Sequence, residues 1–111
     1  MPDKITKITE SLKALADPNR IKILKLLAAN DRLCVGIIAR KLAITQPAVS
    51  QHLKVLKNAG LVESNKIGLH VHYWLDLTAI TKLTKDLNGL FKTSRKKDKC
   101  VDCPEEIKLK K

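Results

Sequence analysis

At 111 residues and 44% hydrophobic content, the chain is long enough for one small folded domain and too apolar to be disordered throughout. It carries 22 basic against 11 acidic residues, a net charge of +11; residues 94–111 contribute +3, so residues 1–93 alone hold +8 and call for a polyanionic partner. Its only aromatics are Tyr73, Trp74 and Phe91, too few for the base-stacking platforms of single-strand and most RNA modules, which leaves double-stranded DNA.

Residues 4–16 place Ile5, Ile8, Leu12 and Leu15 on one face and predict a first amphipathic helix. Asp17-Pro18 opens a second, with Asp at the N-cap and Pro at the first helical position. Its apolar residues Ile21, Ile23, Leu24, Leu26, Leu27 and Ala28 cover most of the circumference, which predicts a central, buried helix ended by Asn30-Asp31. Leu33 to Leu42 reads as a short third helix that buries Ile37, Ile38 and Leu42 beneath Arg40 and Lys41.

After the short link Ala43-Ile44-Thr45 comes the stretch on which the rest depends, Ile44 to Leu61. Thr45 is a good N-cap, and Pro47 falls in the first turn, where its missing N–H costs nothing. Ala48, Val49, Leu53, Val55, Leu56 and Ala59 form an apolar stripe, and Gly60 stops the helix. The opposite face carries Gln46, Ser50, Gln51, Lys54, Lys57 and Asn58, with no acid to form the Glu–Lys pairs of a solvated helix. Short amides and hydroxyls suit base edges and ammonium groups suit phosphates, the chemistry of a major-groove reader. A short helix, a tight turn and this helix make a helix-turn-helix.

Beyond Gly60 the period changes from helical to alternating. Leu69, Val71, Tyr73 and Leu75 alternate with His70, His72 and Trp74, a strand expected to pair with Leu61-Val62-Glu63 across a loop around Asn65-Lys66-Ile67-Gly68. That β-hairpin would be the wing of a winged helix, with Lys66 at its tip placed for a phosphate or minor-groove contact. Asp76 or Thr78 caps a last helix bearing Leu77, Ile80, Leu83, Leu87, Leu90 and Phe91. So much apolar surface on a terminal helix needs covering; packing with the first helix against a second copy would give a twofold homodimer. Residues 1–93 thus form the binding and dimerisation domain, and 94–111 a charged, aperiodic, mobile tail containing Cys100 and Cys103.

The start of the chain has no apolar core of a signal peptide, and its most apolar run, Ile21 to Ala29, is broken by Lys22 and Lys25, so no membrane segment is expected. Three cysteines do not suggest a secreted disulfide framework, and a cytoplasmic protein is expected.

Four motifs in order resemble the ArsR/SmtB family of bacterial and archaeal winged-helix repressors: Leu15-Ala16-Asp17-Pro18-Asn19-Arg20-Ile21, Leu33-Cys34-Val35, Gln46-Pro47-Ala48-Val49-Ser50-Gln51-His52-Leu53, and Ala59-Gly60-Leu61-Val62. The resemblance spans about residues 5–92. It implies a mainly α winged helix-turn-helix with a small β-hairpin, dimeric through its first and last helices, that represses its own operon until an inducer loosens it. It also implies that Thr45, Gln46, Pro47, Ser50 and Gln51 read the major groove. His52 matches the family's histidine, but its place among Ala48, Val49 and Leu56 favours a core or hydrogen-bonding role.

The inducer site departs from the family pattern. Many members carry Cys-Val-Cys at the start of the third helix, binding arsenic(III) or soft divalent metals; here Gly36 replaces the second cysteine and Cys34 stands alone. The family's other common site uses His and Asp on the last helix, which here has Asp76 at its start and no histidine. His70 and His72, beside Trp74 on one wing face, read as surface strand residues rather than ligands. What remains is Cys34 with Cys100 and Cys103, a suitable trigonal thiolate set for arsenic(III), or for a soft metal with a fourth ligand. Two alternatives stand beside it: Cys34 as a half-buried apolar residue, and Cys100/Cys103 as a redox couple beside Lys96, Lys97 and Lys99. The tail Cys-x-x-Cys matches a dithiol oxidoreductase in spacing only, and no Ser-His-Asp set, glycine-rich phosphate loop or carboxylate pair points to an enzyme. An adaptor binding protein through the same basic winged helix is the remaining option.

Overall fold

The computed structural model describes residues 3–93, and the tail thiols Cys100 and Cys103 lie outside them. The elements run α1 (Lys4–Leu15), α2 (Pro18–Ala29), β1 (Leu33–Cys34), α3 (Val35–Leu42), α4 (Gln46–Asn58), β2 (Val62–Ile67), β3 (His70–Leu75) and α5 (Leu77–Leu90). This is a mainly helical winged helix-turn-helix with a three-stranded antiparallel sheet ordered β1-β3-β2.

Side-chain caps set the helix starts. Asp3 accepts from the Thr6 N–H at 2.8 Å, Asp17 from Asn19 and Arg20 at 2.8 and 3.3 Å, and Asp76 from Ala79 at 3.0 Å. Asp76 rather than Thr78 therefore caps α5. The end of α4 is closed by two backbone bonds, Gly60 N–H to Lys57 O at 2.9 Å and Leu61 N–H to Leu56 O at 3.0 Å, with Gly60 left-handed at φ 78°.

The core joins Ala14 of α1, Ile23 and Leu27 of α2, Ile38 and Ala39 of α3, Val49, Leu53 and Leu56 of α4, and Leu61 and Val62 at the entry to the wing. In α2, α4 and at Ile38 of α3 the buried side chains lie on the predicted faces, whereas Ala14 and Ala39 do not, and Ile5 and Leu12 of the predicted α1 face are exposed. The second helix also departs from expectation: α2 is not buried all round. Ile21 is 54% exposed and Ala28 is exposed, because no element of the described chain covers that side.

Two further corrections concern the sheet. Leu33 and Cys34 do not begin the third helix; they pair antiparallel with Tyr73 and His72 as β1. The wing hairpin is also longer than expected. Its pairing continues through Asn65↔His72 and Lys66↔Val71 to Ile67↔His70, and the turn is made by Gly68-Leu69, with Gly68 at φ 65°. A two-residue hairpin turn needs that left-handed backbone, and Gly68 supplies it without a Cβ clash. Lys66 thus sits in β2 one pair inside the tip, and Leu69, at 92% exposure, is a turn residue rather than a core-facing strand residue.

The outer surface of α1 and α5 stays apolar, with Ile5, Leu12, Leu77, Leu90 and Phe91 all exposed. The two helices pack side by side and share Asp86, which accepts from Lys82 at 2.8 Å and pairs with Lys4 at 3.6 Å. Among the described residues no helix is long and apolar enough to cross a membrane.

Candidate nucleic-acid interface

The helix-turn-helix is α3, the turn Ala43–Thr45 and α4. The turn is fixed from both ends. Ala43 takes a left-handed conformation (φ 55°), so that its N–H reaches Arg40 O at 3.3 Å and Ile44 N–H reaches Ala39 O at 3.2 Å. Thr45 then caps α4: its Oγ1 accepts from the Ala48 N–H at 3.2 Å and its carbonyl from the Val49 N–H at 3.1 Å. Pro47 adds no donor to satisfy.

With Val49, Leu53 and Leu56 buried, the opposite side of α4 is forced outward. Thr45, Gln46, Pro47, Ser50, Gln51, Lys54 and Lys57 are all exposed on one continuous surface without a carboxylate, and Lys66 is exposed on the wing. The Lys57 Nζ donates to the Ser64 Oγ at 2.6 Å, so the last turn of α4 is tied to β2 and helix and wing present a joined basic surface. Gln46 is less free than its sequence position suggests: a Cβ added at Gly36 would lie 3.5 Å from Gln46 Nε2, so the amide rests over the start of α3.

His52 lies off this surface. It is half-buried, with Nδ1 3.4 Å from Arg20 Nη1, while Arg20 Nε donates to the Ala14 carbonyl at 2.7 Å. Desolvation pushes the Asp17 carboxyl up, but the backbone N–H groups of Arg20 and Asn19, with His52 and Arg20 nearby, together hold it below its ordinary 3.8. Arg20 was not among the residues singled out from sequence beyond its motif. No local signal links it to a residue 32 positions away.

Cys34 is a free, half-buried thiol at the N-cap of α3. Its cross-strand neighbour is His72, whose Nδ1 is buried with no hydrogen-bond partner. His72 is therefore no plain surface strand residue; register with β1 brings an unpaired nitrogen donor onto the face that carries the thiol. Trp74, two residues further along β3, is covered by the Arg32 guanidinium at 5.3 Å from the ring centroid. Among the described residues no group of three potential ligands converges, so a trigonal site would need the tail thiols.

A sequence model described as "Bacterial regulatory protein, arsR family" matches residues 17–64, the span from the Asp17 cap into the wing's first strand. The chain is 44% identical over 88 residues to an uncharacterized HTH-type transcriptional regulator of Methanocaldococcus jannaschii, covering 79% of this chain and 99% of that protein. It is 38% identical over 68 residues to the transcriptional repressor SdpR of Bacillus subtilis, covering 61% and 74%. Among solved structures, HlyU of Vibrio cholerae superposes with a TM-score of 0.67 at 35% identity, over 82% of this chain and 98% of that one. HlyU is described as a transcriptional activator.

Proposed function

The chain belongs to the arsR family of bacterial transcriptional regulators, DNA-binding proteins and not enzymes, and from that premise we propose that it is a homodimeric repressor acting in the cytoplasm on an inverted-repeat operator. The observation that carries this is the acid-free exposed face of α4 behind a doubly fixed turn. Ser50 and Gln51 meet base edges with Thr45, Gln46 and Pro47 at the entrance to the groove, and Lys54, Lys57 and Lys66 neutralise phosphates. The apolar surface of α1 and α5 packs against its equivalent in a second copy, which spaces the two α4 helices one turn of duplex apart.

The inducer is a metalloid or soft metal held by Cys34, Cys100 and Cys103, arsenic(III) being suited to three thiolates. Cys34 fits a soft ligand: its thiol is free and the His72 nitrogen opposite it lacks a partner, a fourth donor for a metal that requires one. Fluorescence anisotropy of the thiol-reduced protein on the DNA upstream of its own gene, titrated with arsenite, tests both parts. Tight binding released by roughly one arsenic per monomer is expected, and Cys100→Ser with Cys103→Ser abolishes the release. Binding indifferent to arsenite but lost on oxidation would favour the Cys100/Cys103 redox couple, while no preference for any duplex would overturn the DNA assignment itself.

A further inference from the structure

Arg20, on α2, hydrogen-bonds through its side chain to residues of two other helices. Its Nε donates to the Ala14 carbonyl in the last turn of α1 at 2.7 Å, and its own backbone sits in the first turn of α2 under the Asp17 cap. Its Nη1 lies 3.4 Å from Nδ1 of His52, in the middle of α4. A guanidinium has donors only, so a hydrogen bond here requires His52 Nδ1 to accept, with the ring proton on Nε2. Among the described residues the ion pairs are those of Lys4 and Lys82 with Asp86, so the Arg20 guanidinium is spent on a carbonyl and an imidazole, not on a carboxylate. Such a contact contributes direction more than charge neutralisation: the planar fork fixes both acceptors relative to each other, which a lysine cannot do.

His52 directly follows Ser50 and Gln51 on α4, and Ala14 lies on α1, the helix proposed to pack against the second copy. We infer that Arg20 is a positioning residue that locks the reading helix to the α1–α2 corner through His52, so that the angle of α4 in the groove follows the geometry of the dimer. This rests on the DNA-reading role of α4. The lock acts on specificity: without it α4 still presents its lysines, but Ser50 and Gln51 lose the fixed register that base contacts need and phosphate contacts tolerate.

The test compares Arg20→Lys, His52→Leu and His52→Asn in the full chain. Asn keeps an acceptor near the position of Nδ1; Leu removes it. Arg20→Lys and His52→Leu are each expected to lower affinity for the upstream operator by about tenfold, the worth of one hydrogen bond to a charged group. Affinity for a scrambled duplex should stay within about twofold, because it rests on phosphates. His52→Asn should recover most of the loss, and Arg20→Lys combined with His52→Leu should be no worse than either alone, since both remove one interaction. Parallel losses on both duplexes, additive losses in the double variant, or no rescue by His52→Asn would overturn the lock. An NMR measurement on the free protein separates this from failure of DNA recognition: His52 should show the Nε2–H tautomer, and the Arg20 Nε–H resonance should shift in His52→Leu. An Nδ1–H tautomer would overturn the lock whatever the protein binds.

Discussion

Lys57→Ala offers a quantitative test of how the basic surface works. Lys57 sits in the last turn of α4, exposed, with Nζ donating to Ser64 Oγ on the wing at 2.6 Å. Lys54, Lys57 and Lys66 on each protomer amount to about six phosphate contacts per dimer, which gives a slope of log K against log salt of about −5.4. Raising salt from 50 to 200 mM should then weaken binding about 2,000-fold. Removing Lys57 takes away about two contacts per dimer, so the slope falls to about −3.6 and the same salt change costs about 150-fold. Because the side chain is exposed, stability should change by no more than about 0.5 kcal/mol. Anisotropy titrations over a salt series, on operator and on scrambled duplex, read both slopes. They should fall together. An unchanged slope, or a loss confined to the operator, would refute the assignment of Lys57 to phosphate.

Three other outcomes follow from the geometry. Ala43→Gly should raise stability by about 0.5–1 kcal/mol in urea titrations, since relief of left-handed strain of about 1–2 kcal/mol exceeds the added chain entropy of glycine; a drop would show that the turn is not strained. Gly36→Cys should fold normally, its Cβ meeting Gln46 Nε2 at an ordinary 3.5 Å, and should bind arsenite more tightly than the parent by completing a Cys-Val-Cys pair. Calorimetry with arsenite checks this, and equal affinity would argue against Cys34 as a ligand. Stability should also fall in acid. The Thr6 N–H lowers Asp3, the Lys82 ammonium lowers Asp86, and Asp17 is lowered as well, each below its ordinary 3.8. A carboxyl that binds its proton less readily when folded stabilises above its unfolded value and loses that contribution as pH falls through the folded one, so the urea midpoint should fall from about pH 5 downward. A midpoint that rises in acid would contradict the capping and pairing of these groups.

Local chemistry made much of this molecule legible in its sequence. Asp17-Pro18, Thr45 with Pro47, and Gly60 each act within a few residues, and each does in the structure what its type dictates. The outward face of α4 was equally readable, because burial of Val49, Leu53 and Leu56 leaves one orientation for the rest. Apart from the local position of the wing turn, the misses depend on long-range partners. Leu33-Cys34 has the apolar look of a helix start, and only pairing with Tyr73 and His72 makes it a strand. That pairing also sets His72 opposite Cys34, which no spacing reveals. Arg20 and His52 meet by the crossing of α2 and α4, and the open side of α2 at Ile21 reflects what the other described residues do not cover.

Hydroxyl-radical footprinting of the thiol-reduced protein on the DNA upstream of its own gene tests the central claim most directly. Two α4 helices of one dimer should protect two patches about 10–10.5 bp apart, on one face of an inverted repeat, and inserting about 5 bp between the half-sites should abolish tight binding. A single protected patch, uniform protection without sequence preference, or binding indifferent to the insertion would contradict a dimer reading successive major grooves.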